Sequence, residues 1–330
     1  MPEQGARVDA LVRPDLAADP VAAVLAAHEE GHDLALATSG TTGGTGRRVV
    51  RTTGSWWSSF EPYSGLSGVG PGARVWVPGP TAATMNLFAA VHARVVGARL
   101  STDAADATHA CLTPTQLARL GGRLRPGTRV VVAGDRLPAA AATAATERGL
   151  RVTHYYGASE LSFVAAGTSA DDLHAFPGVD IDIKDGAIWA RSAYLCRGYV
   201  DGAGGPLRRD GAWASVGDLG GFRGGVLVVV GRPGHIVTGG AIVSLAEVEA
   251  ALGAAARGPF AVVGLPHVAL GSVLAIVTTD PADEAPLREH ARRLPPAHRP
   301  RLWYQRPELP LTPAGKLDRA TLAALLGTGR

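Results

Sequence analysis

The chain has 330 residues, of which 46% are hydrophobic and 18% charged, proportions that are ordinary for a globular protein of more than one domain. The 32 Lys and Arg residues exceed the 29 Asp and Glu residues by only three, so the net charge of +3 gives no electrostatic reason to expect a nucleic-acid or membrane partner. Two distant cysteines, Cys111 and Cys196, exclude a disulfide framework and a cysteine-built zinc site, and they fit a cytoplasmic location. We also expect no signal peptide and no membrane anchor, because no apolar run reaches spanning length.

The first half of the chain alternates helix and strand signals. Asp19 followed by Pro20 predicts the capped start of a helix that ends at Gly31. Apolar runs predict strands, with helical stretches such as 113–120 between them, at 34–38, 74–78, 109–112, 129–134 and 151–157. Strands separated by helices predict a mainly parallel, helix-covered sheet with right-handed crossovers.

After about residue 175 the pattern changes to short strands joined by glycine-containing turns. The dipeptides at 185–186 and 224–225 each separate two apolar runs, which predicts antiparallel hairpins beside the parallel sheet. A second change near Gly231 begins a segment with a capped helix and two more apolar strands. We therefore predict an α/β fold with a large domain of residues 1–231, built from a mainly parallel sheet and an antiparallel subdomain, and a small, mobile α+β domain of residues 232–330.

Residues 38–48 read TSGTTGGTGRR and directly follow a predicted strand. Their glycines and hydroxyl side chains can direct N–H and O–H groups toward an anion. The segment is not a Walker A loop, because its glycine spacing differs and no lysine follows. Taken alone, it is better interpreted as a flexible turn, so a role in phosphate binding depends on motifs further along the chain.

Four such motifs follow in order. They are HYYGASE at 154–160, GDLG at 217–220, GRPGHIVTGG at 231–240 and LPLTPAGKLDR at 309–319. Together with the loop at 38–48, they resemble the core motifs of the adenylate-forming superfamily, which includes acyl-CoA synthetases, adenylation domains of peptide synthetases and luciferases. The resemblance covers residues 34 to 325, and the short form is most similar to bacterial o-succinylbenzoate–CoA ligases.

The resemblance assigns the phosphates of ATP to separate segments. The β- and γ-phosphates would bind the glycines and hydroxyls of the loop, namely Ser39, Gly40, Thr41, Thr42 and Gly43. Ser159 would contact the α-phosphate, and Glu160 would hold Mg²⁺ and take part in catalysis. Lys316 would be the catalytic lysine that bridges the substrate carboxylate and the α-phosphate. Such groups are needed because a carboxylate attacking a polyanion is repelled unless fixed cations and donors offset the charge.

The nucleoside and the acyl acceptor are assigned in the same way. Tyr156 and Gly157 would line the adenine, and Asp218 would accept hydrogen bonds from the ribose hydroxyls, assisted by Arg232. The pair Gly239–Gly240 would open a path for the pantetheine arm of CoA. Structural alternatives stay open: a tight turn explains Gly239–Gly240 nearly as well, Asp218 could be a turn residue, and the carboxylate of the HYYGASE motif could simply begin a helix.

The chain departs from the family pattern at the loop and at the hinge between domains. Thr45 and Gly46 stand where the phosphate loop normally has Pro and Lys, and Arg47 or Arg48 is the candidate replacement for the missing cation. Gly234 stands where the hinge normally has Asp, and glycine still allows a large backbone rotation.

The expected enzyme is an AMP-forming acid–thiol ligase that uses ATP and Mg²⁺ to form an acyl-adenylate, releases pyrophosphate and transfers the acyl group to CoA. The apolar segment 85–93 suggests a small to medium, partly apolar or aromatic acid. The alternatives are a ligase that loads a carrier protein and a nucleotide-binding module that has lost catalysis. His154 is either a packed residue of the core or a part of the acyl pocket, and the sequence does not decide between the two. No HxH or HExxH spacing occurs, so we expect no transition-metal site.

Overall fold

The computed structural model describes residues 11–38, 47–81, 83–202, 204–231, 234–311 and 317–327. These residues form two compact units, of which the first ends at Gly231 and the second begins, among the described residues, at Gly234. Three sheets lie in the first unit and one in the second. The predicted mobility of the second unit stays a prediction.

The secondary structure is numbered in chain order. The strands of the first unit are β1 Leu11–Val12, β2 Asp33–Ala37, β3 Arg48–Thr52, β4 Arg74–Trp76, β5 Arg99–Ser101, β6 His109–Leu112, β7 Arg129–Val132, β8 Arg151–Ala158, β9 Ser162–Gly167, β10 His174–Ala175, β11 Asp180–Lys184, β12 Ala187–Arg191, β13 Gly198–Tyr199, β14 Arg208–Asp210, β15 Trp213–Ser215, β16 Leu219–Arg223 and β17 Val226–Gly231. Its α-helices are α1 Pro20–Glu29, α2 Thr53–Ser67, α3 Thr84–Val95, α4 Pro114–Leu120 and α5 Ala139–Glu147.

The largest sheet has seven strands in the order β10-β9-β8-β7-β6-β4-β5. The five strands from β8 to β5 are parallel to their neighbours, and β9 and β10 add antiparallel pairs at one edge. The run Val130-Val131-Val132 of β7 is buried on both faces of the sheet, as expected for a strand covered by helices on both sides. The predicted helix-covered, mainly parallel sheet is therefore confirmed.

Two helix starts of the first unit are capped by side chains, as predicted at Asp19 and not predicted at Thr113. The Asp19 carboxylate accepts from the N–H groups of Val21 and Ala22, and Thr113 and Gln116 form a reciprocal capping box at the start of α4. Within the described residues, no helix combines the length and the apolar character that crossing a membrane requires.

Helix α2 was not predicted from the sequence. Its residues TGSWWSSFEPYSGLS contain Gly, Ser and Pro62, which have low helix propensity, so the local signal is weak. The helix is capped by the Thr52 hydroxyl and buries Trp56, Phe60 and Tyr63, which are spaced so that they share one face. Tertiary packing of this aromatic stripe therefore outweighs the poor local propensity.

The strand before the predicted phosphate loop lies in a different sheet from the one expected. Strand β2 belongs to a four-stranded sheet in the order β1-β2-β3-β13, and it pairs antiparallel with β3. The sequence analysis placed it in the parallel sheet, because a short apolar run does not reveal its partner. The loop segment thus connects two antiparallel neighbours.

The predicted antiparallel subdomain is a six-stranded sheet in which β14-β15-β12-β16-β17 are neighbours and β11 pairs with β12. Asp185 and Gly186 have φ values of 51° and 74°, and Gly224 and Gly225 have values of 58° and 83°. Positive φ at both central residues is the geometry of two-residue hairpin turns that match the twist of their strands. Both predicted hairpins are confirmed.

The second unit is a five-stranded sheet covered by helices on both faces. Its elements are β18 His235–Thr238, β19 Ala241–Ser244, α6 Leu245–Leu252, β20 Phe260–His267, β21 Gly271–Thr278, α7 Glu284–Ala291, β22 Leu302–Gln305 and α8 Arg319–Gly327. Successive residues of β20 and β21 alternate between two hydrophobic clusters, one containing Leu252 and Leu287 and the other Leu322 and Leu326. The Ser244 hydroxyl caps α6 by accepting from the N–H of Glu247.

Candidate functional site

The carboxyl end of β8 carries half of the predicted site residues that the structure describes. Ser159, Glu160 and Leu161 form the turn between β8 and β9, and Ala158 pairs with Ser162 across it. The N–H of Leu161 donates to the carbonyl of Ala158 over 3.1 Å, and Ser162 adopts a φ of 62°. This is a three-residue hairpin turn followed by a left-handed residue at the start of β9. Glu160 therefore lies in a turn and not at the start of a helix, which excludes that structural alternative.

Gly157 is required by the close approach of the two strands beside this turn. A Cβ atom at Gly157 would lie 2.0 Å from the carbonyl oxygen of Ser162, a distance that real Cβ atoms do not reach. The register of β8 and β9 also shifts between Tyr156 and Gly157. Backbone packing thus explains the glycine of the motif, whatever ligand lies beside it.

Tyr156 and Asp218, which the resemblance assigns to the adenine and the ribose, lie next to each other. The Tyr156 hydroxyl donates to Oδ2 of Asp218 over 2.9 Å. Asp218 lies between β15 and β16, where its carbonyl accepts from the N–H of Ile188 and the preceding Gly217 has a φ of 80°. The fold thus brings the second and third motifs together. Asp218 therefore lies in the short segment between two strands and is a neighbour of the predicted adenine-binding residue.

The Glu160 carboxylate is nearly buried, with 6% of its surface exposed. Its Oε1 accepts from the Tyr199 hydroxyl over 2.8 Å, and its carbonyl accepts from the N–H of Cys196 over 2.9 Å. Burial and the nearby Glu160 raise the pKa of Tyr199 well above its usual range, so the phenol stays a donor. In the described part of the chain, no group of three or more His, Cys, Asp or Glu side chains converges on one point. A single carboxylate with one oxygen held by a donor fits Mg²⁺, because this ion usually takes one or two carboxylates and completes its shell with water and substrate phosphates.

Arg51 lies behind the same turn and was missed by the sequence analysis. Only 1% of the residue is exposed, and its guanidinium donates to the carbonyls of Ser159, over 2.7 Å, and Tyr194 and to the Ser55 hydroxyl, over 3.1 Å. Burial lowers the pKa of Arg51 to about 10, which leaves it charged at neutral pH. The available signal was an arginine inside the otherwise apolar strand VVRT, where an unpaired charge is costly.

The ends of the predicted phosphate loop are described, although its centre is not. The N–H and hydroxyl of Thr38 both donate to the carbonyl of Arg47, over 3.1 and 3.3 Å. Arg48 forms an ion pair with Asp15 at 2.6 Å, with both side chains largely buried, which makes Arg48 a poor candidate for the missing cation. Outside the described residues lie Ser39, Gly40, Thr41, Thr42, Gly43, Thr45, Gly46, Arg232 and Lys316, whose roles stay predictions.

His154 is a packed residue. It is 2% exposed, and Nδ1 lies 2.9 Å from the carbonyl of Val132. Burial is the largest cause that lowers the pKa of His154, so the ring is neutral at pH 7 and Nδ1–H donates to that carbonyl. The apolar segment 85–93, which suggested an apolar acid, is mostly core as well, because 86–93 are buried. The segment therefore no longer supports that choice of acid.

The pair Gly239–Gly240 forms the turn between β18 and β19. Its φ values are 58° and 87°, the geometry of a two-residue hairpin turn, and Thr238 pairs with Ala241 across it. The N–H of Gly239 donates to the carbonyl of Leu270 over 3.0 Å. The turn by itself accounts for both glycines, so a pantetheine channel stays a prediction.

Comparisons with known proteins point to one superfamily. The chain is 34% identical over 158 residues to the 2-succinylbenzoate–CoA ligase of Salmonella typhimurium, an alignment that covers 46% of this chain and 35% of that protein. It is 26% identical over 323 residues to the uncharacterized acyl–CoA ligase YhfT of Bacillus subtilis, covering 86% of this chain and 66% of that protein. The structure of amide bond synthetase McbA from Marinactinospora thermotolerans matches with a TM-score of 0.72 at 26% identity, over 89% of this chain and 69% of the other. No family model matches the chain.

These similarities confirm the predicted resemblance to adenylate-forming enzymes, including o-succinylbenzoate–CoA ligases, and they confirm the α/β fold class. The aligned region spans 35% of the Salmonella protein and 66% of the Bacillus protein. The two relatives named for CoA are ligases. Their names do not identify the acid that this chain activates or the group that accepts the acyl.

Proposed function

We propose that this chain is an AMP-forming ligase that activates a carboxylic acid with ATP, releases pyrophosphate and transfers the acyl group from the adenylate to CoA. The acid oxygen attacks the α-phosphorus, and the bond from that phosphorus to the bridging oxygen of pyrophosphate breaks. The CoA thiol then attacks the acyl carbon, loses its proton and displaces AMP. The two cysteines are free, buried thiols, and we place the enzyme in the reducing cytoplasm.

The hydrogen bond between Tyr156 and Asp218 is the observation that most supports this proposal. It joins two residues that are 62 positions apart in the chain. Each belongs to a different motif, and each motif was assigned to the nucleoside from its own residues. In the proposed complex the Tyr156 ring lies along the adenine, and the Asp218 carboxylate accepts from the ribose hydroxyls. A carboxylate that accepts from a phenol in the free protein can accept from hydroxyl groups of a nucleoside in the same way.

The Ser159–Glu160 turn would bind the phosphate end of the nucleotide. Ser159 would donate to the α-phosphate, and Glu160 would hold Mg²⁺, which supplies positive charge against the triphosphate when it is bound. Arg47 and the loop hydroxyls at Ser39, Thr41 and Thr42 would contact the β- and γ-phosphates. Lys316 would hold the carboxylate near the α-phosphate, so that alignment and charge compensation together lower the barrier.

Three acyl acceptors are compatible with the first step. CoA is favoured by the sequence similarity to ligases that are named for it, among them the Salmonella protein. An amine is the second candidate, because McbA is named an amide bond synthetase and matches 89% of this chain. The thiol of a carrier protein is the third. Gly239–Gly240 does not decide between them, because the hairpin turn explains both residues.

A pyrophosphate-release screen over carboxylic acids tests the first step, and repeating each positive reaction with CoA, a phosphopantetheinyl carrier protein or an amine tests the second. We expect release that depends on the acid, and a thioester product with CoA. An amide product in place of the thioester would move the assignment to the second candidate. ATP binding without pyrophosphate release from any acid would favour a nucleotide-binding module that has lost catalysis.

A further inference from the structure

Arg51 is a buried charge that the proposed chemistry does not use. It is among the largest fully buried side chains, and its Nε has no partner within the part of the chain that the structure describes. Burying a guanidinium is costly unless hydrogen bonds replace its lost hydration. Among the described residues, its hydrogen-bond partners are main-chain carbonyls and a hydroxyl, and the nearby Glu160 carboxylate stabilises its charge without a direct hydrogen bond. An apolar side chain would fill the same space at lower cost, so core packing alone does not explain the arginine.

The position of Arg51 connects two segments that are assigned to the same nucleotide. It lies near the end of β3, the strand that follows the phosphate loop, and the loop ends at Arg47. One guanidinium nitrogen donates to the carbonyl of Ser159, and the other donates to the carbonyl of Tyr194. The planar fork of an arginine holds two acceptors at a defined separation. Arg51 therefore fixes the main chain of the turn against the strand that leaves the loop.

Tyr199 acts on the same turn from a neighbouring strand. It lies in β13, which pairs antiparallel with β3, and its partner in the register is Val49. Its hydroxyl donates to Oε1 of Glu160 over 2.8 Å and accepts from the N–H of Leu207 over 3.2 Å. Because the hydroxyl oxygen is itself held by a donor, the direction of its O–H toward the carboxylate is restricted.

We infer that Arg51 and Tyr199 are positioning residues that hold the Ser159–Glu160 turn against strand β3 and so set the place of the Glu160 carboxylate. Arg51 acts through the main chain of Ser159, and Tyr199 acts on the carboxylate itself. The inference rests on the proposed function, because it gives a purpose to a fixed position of Glu160, the predicted Mg²⁺ ligand.

Tyr199→Phe is the sharpest variant, because it removes only one hydroxyl. Tyr194→Phe is its matched control, since the Tyr194 hydroxyl is also hydrogen-bonded in the first unit, to the carbonyl of Pro177, and does not touch Glu160. We expect the Mg²⁺ concentration for half-maximal pyrophosphate release to rise about tenfold in Tyr199→Phe, because the loss of one hydrogen bond to a charged group typically weakens binding by about that factor. The KM for the acid should not change, and the control should match the wild type. Equal Mg²⁺ dependence in both variants would overturn the role of Tyr199.

Arg51 is tested with a graded pair of variants. Arg51→Met removes every donor, and Arg51→Lys keeps a charge and a donor but not the planar fork. We expect kcat to fall about 100-fold in Arg51→Met and about tenfold in Arg51→Lys, with a smaller change in the KM for the acid. If Arg51→Met fails to fold, Arg51→Lys carries the test. A folded variant of either kind with the wild-type kcat and Mg²⁺ dependence would overturn the role of Arg51.

Crystal structures of Arg51→Lys and Tyr199→Phe test the inference without any substrate. We expect the Ser159 carbonyl to shift in the first variant and the Glu160 carboxylate to turn away in the second. Unchanged positions of both groups would contradict the inference. Because this measurement needs neither ATP nor an acid, it stays decisive even where the wild-type chain releases no pyrophosphate, an outcome that would count against the proposed function alone.

Discussion

Two hairpin turns carry predicted functional residues, and they are built in different ways. The turn at Ser159–Glu160 in the first unit is held by polar side chains, with the buried Arg51 on its main chain and the partly buried Tyr199 on its carboxylate. The turn at Gly239–Gly240 in the second unit is a two-residue turn in which both φ values are positive. Both were assigned to ligand contacts on the same kind of evidence, a short motif in the right order.

The difference shows which kind of motif residue is informative. A glycine pair in a two-residue turn is required by backbone geometry, so its presence says little about a ligand. Buried polar side chains such as Arg51 and Glu160 are not required by a hairpin, and their burial is costly. A function that needs a fixed carboxylate explains that cost. Four experiments test this difference between the two turns.

The largest effect is expected for Glu160→Gln. The amide has nearly the same shape and can still accept from Tyr199, so folding should be retained while the charge is lost. We expect pyrophosphate release to fall by roughly 10² to 10³, the usual cost of removing one charge-stabilising group, and a similar fall for Lys316→Ala. The exposed Glu147→Gln, in the same unit, is the control. Wild-type turnover in Glu160→Gln would remove the turn from the site.

Gly157→Ala tests the backbone of the same turn. The new Cβ would meet the Ser162 carbonyl oxygen at 2.0 Å, which forces the two strands apart. We expect the free energy of unfolding in urea to fall by about 3 kcal/mol. Gly65→Ala is the control, because Gly65 lies inside α2 with open space around it, and the change there should be slightly stabilising. Equal stabilities of the two variants would show that the turn tolerates a side chain.

Acidification tests the cost of burying polar groups in the first unit. His92 is fully buried among aromatic rings, and burial lowers its pKa from 6.5 to about 4. The unfolded chain therefore binds more protons than the folded chain between these values, and stability is lost as the pH falls from 6.5 toward 4. We expect His92 to contribute roughly 3 kcal/mol of this loss. The comparison is between urea unfolding of the wild type and of His92→Gln across this pH range, and parallel curves would contradict the expectation.

The smallest effect on stability is expected for Gly239→Asn. Asparagine tolerates the left-handed conformation better than other side chains, and its Cβ would lie 3.5 Å from Cδ2 of Leu270, an ordinary contact distance. The free energy of unfolding should therefore change by only about 0.5 kcal/mol. If the pantetheine channel is real, transfer to CoA slows while pyrophosphate release does not. Unchanged transfer would leave the turn with a purely structural role.

Much of the secondary structure follows from local patterns. The helix begun by Asp19 and Pro20, the helix capped by Ser244 and the hairpins at 185–186 and 224–225 were predicted because capping and turn chemistry is local. Helix α2 was missed because its stability comes from buried aromatic residues and not from propensity. Strand β2 was placed in the wrong sheet, since an apolar run does not identify its neighbour.

The order of the motifs and the types of residue that could bind a nucleotide are read directly from the sequence. The positions of most helices and strands also follow from it, because they depend on near neighbours in the chain. Only the tertiary structure decided that Tyr156 meets Asp218 and that Arg51 and Tyr199 hold the Ser159–Glu160 turn. Contacts between residues that are tens of positions apart depend on how sheets and helices pack. The hydrophobic effect that drives this packing has no direction of its own, so no local pattern records it.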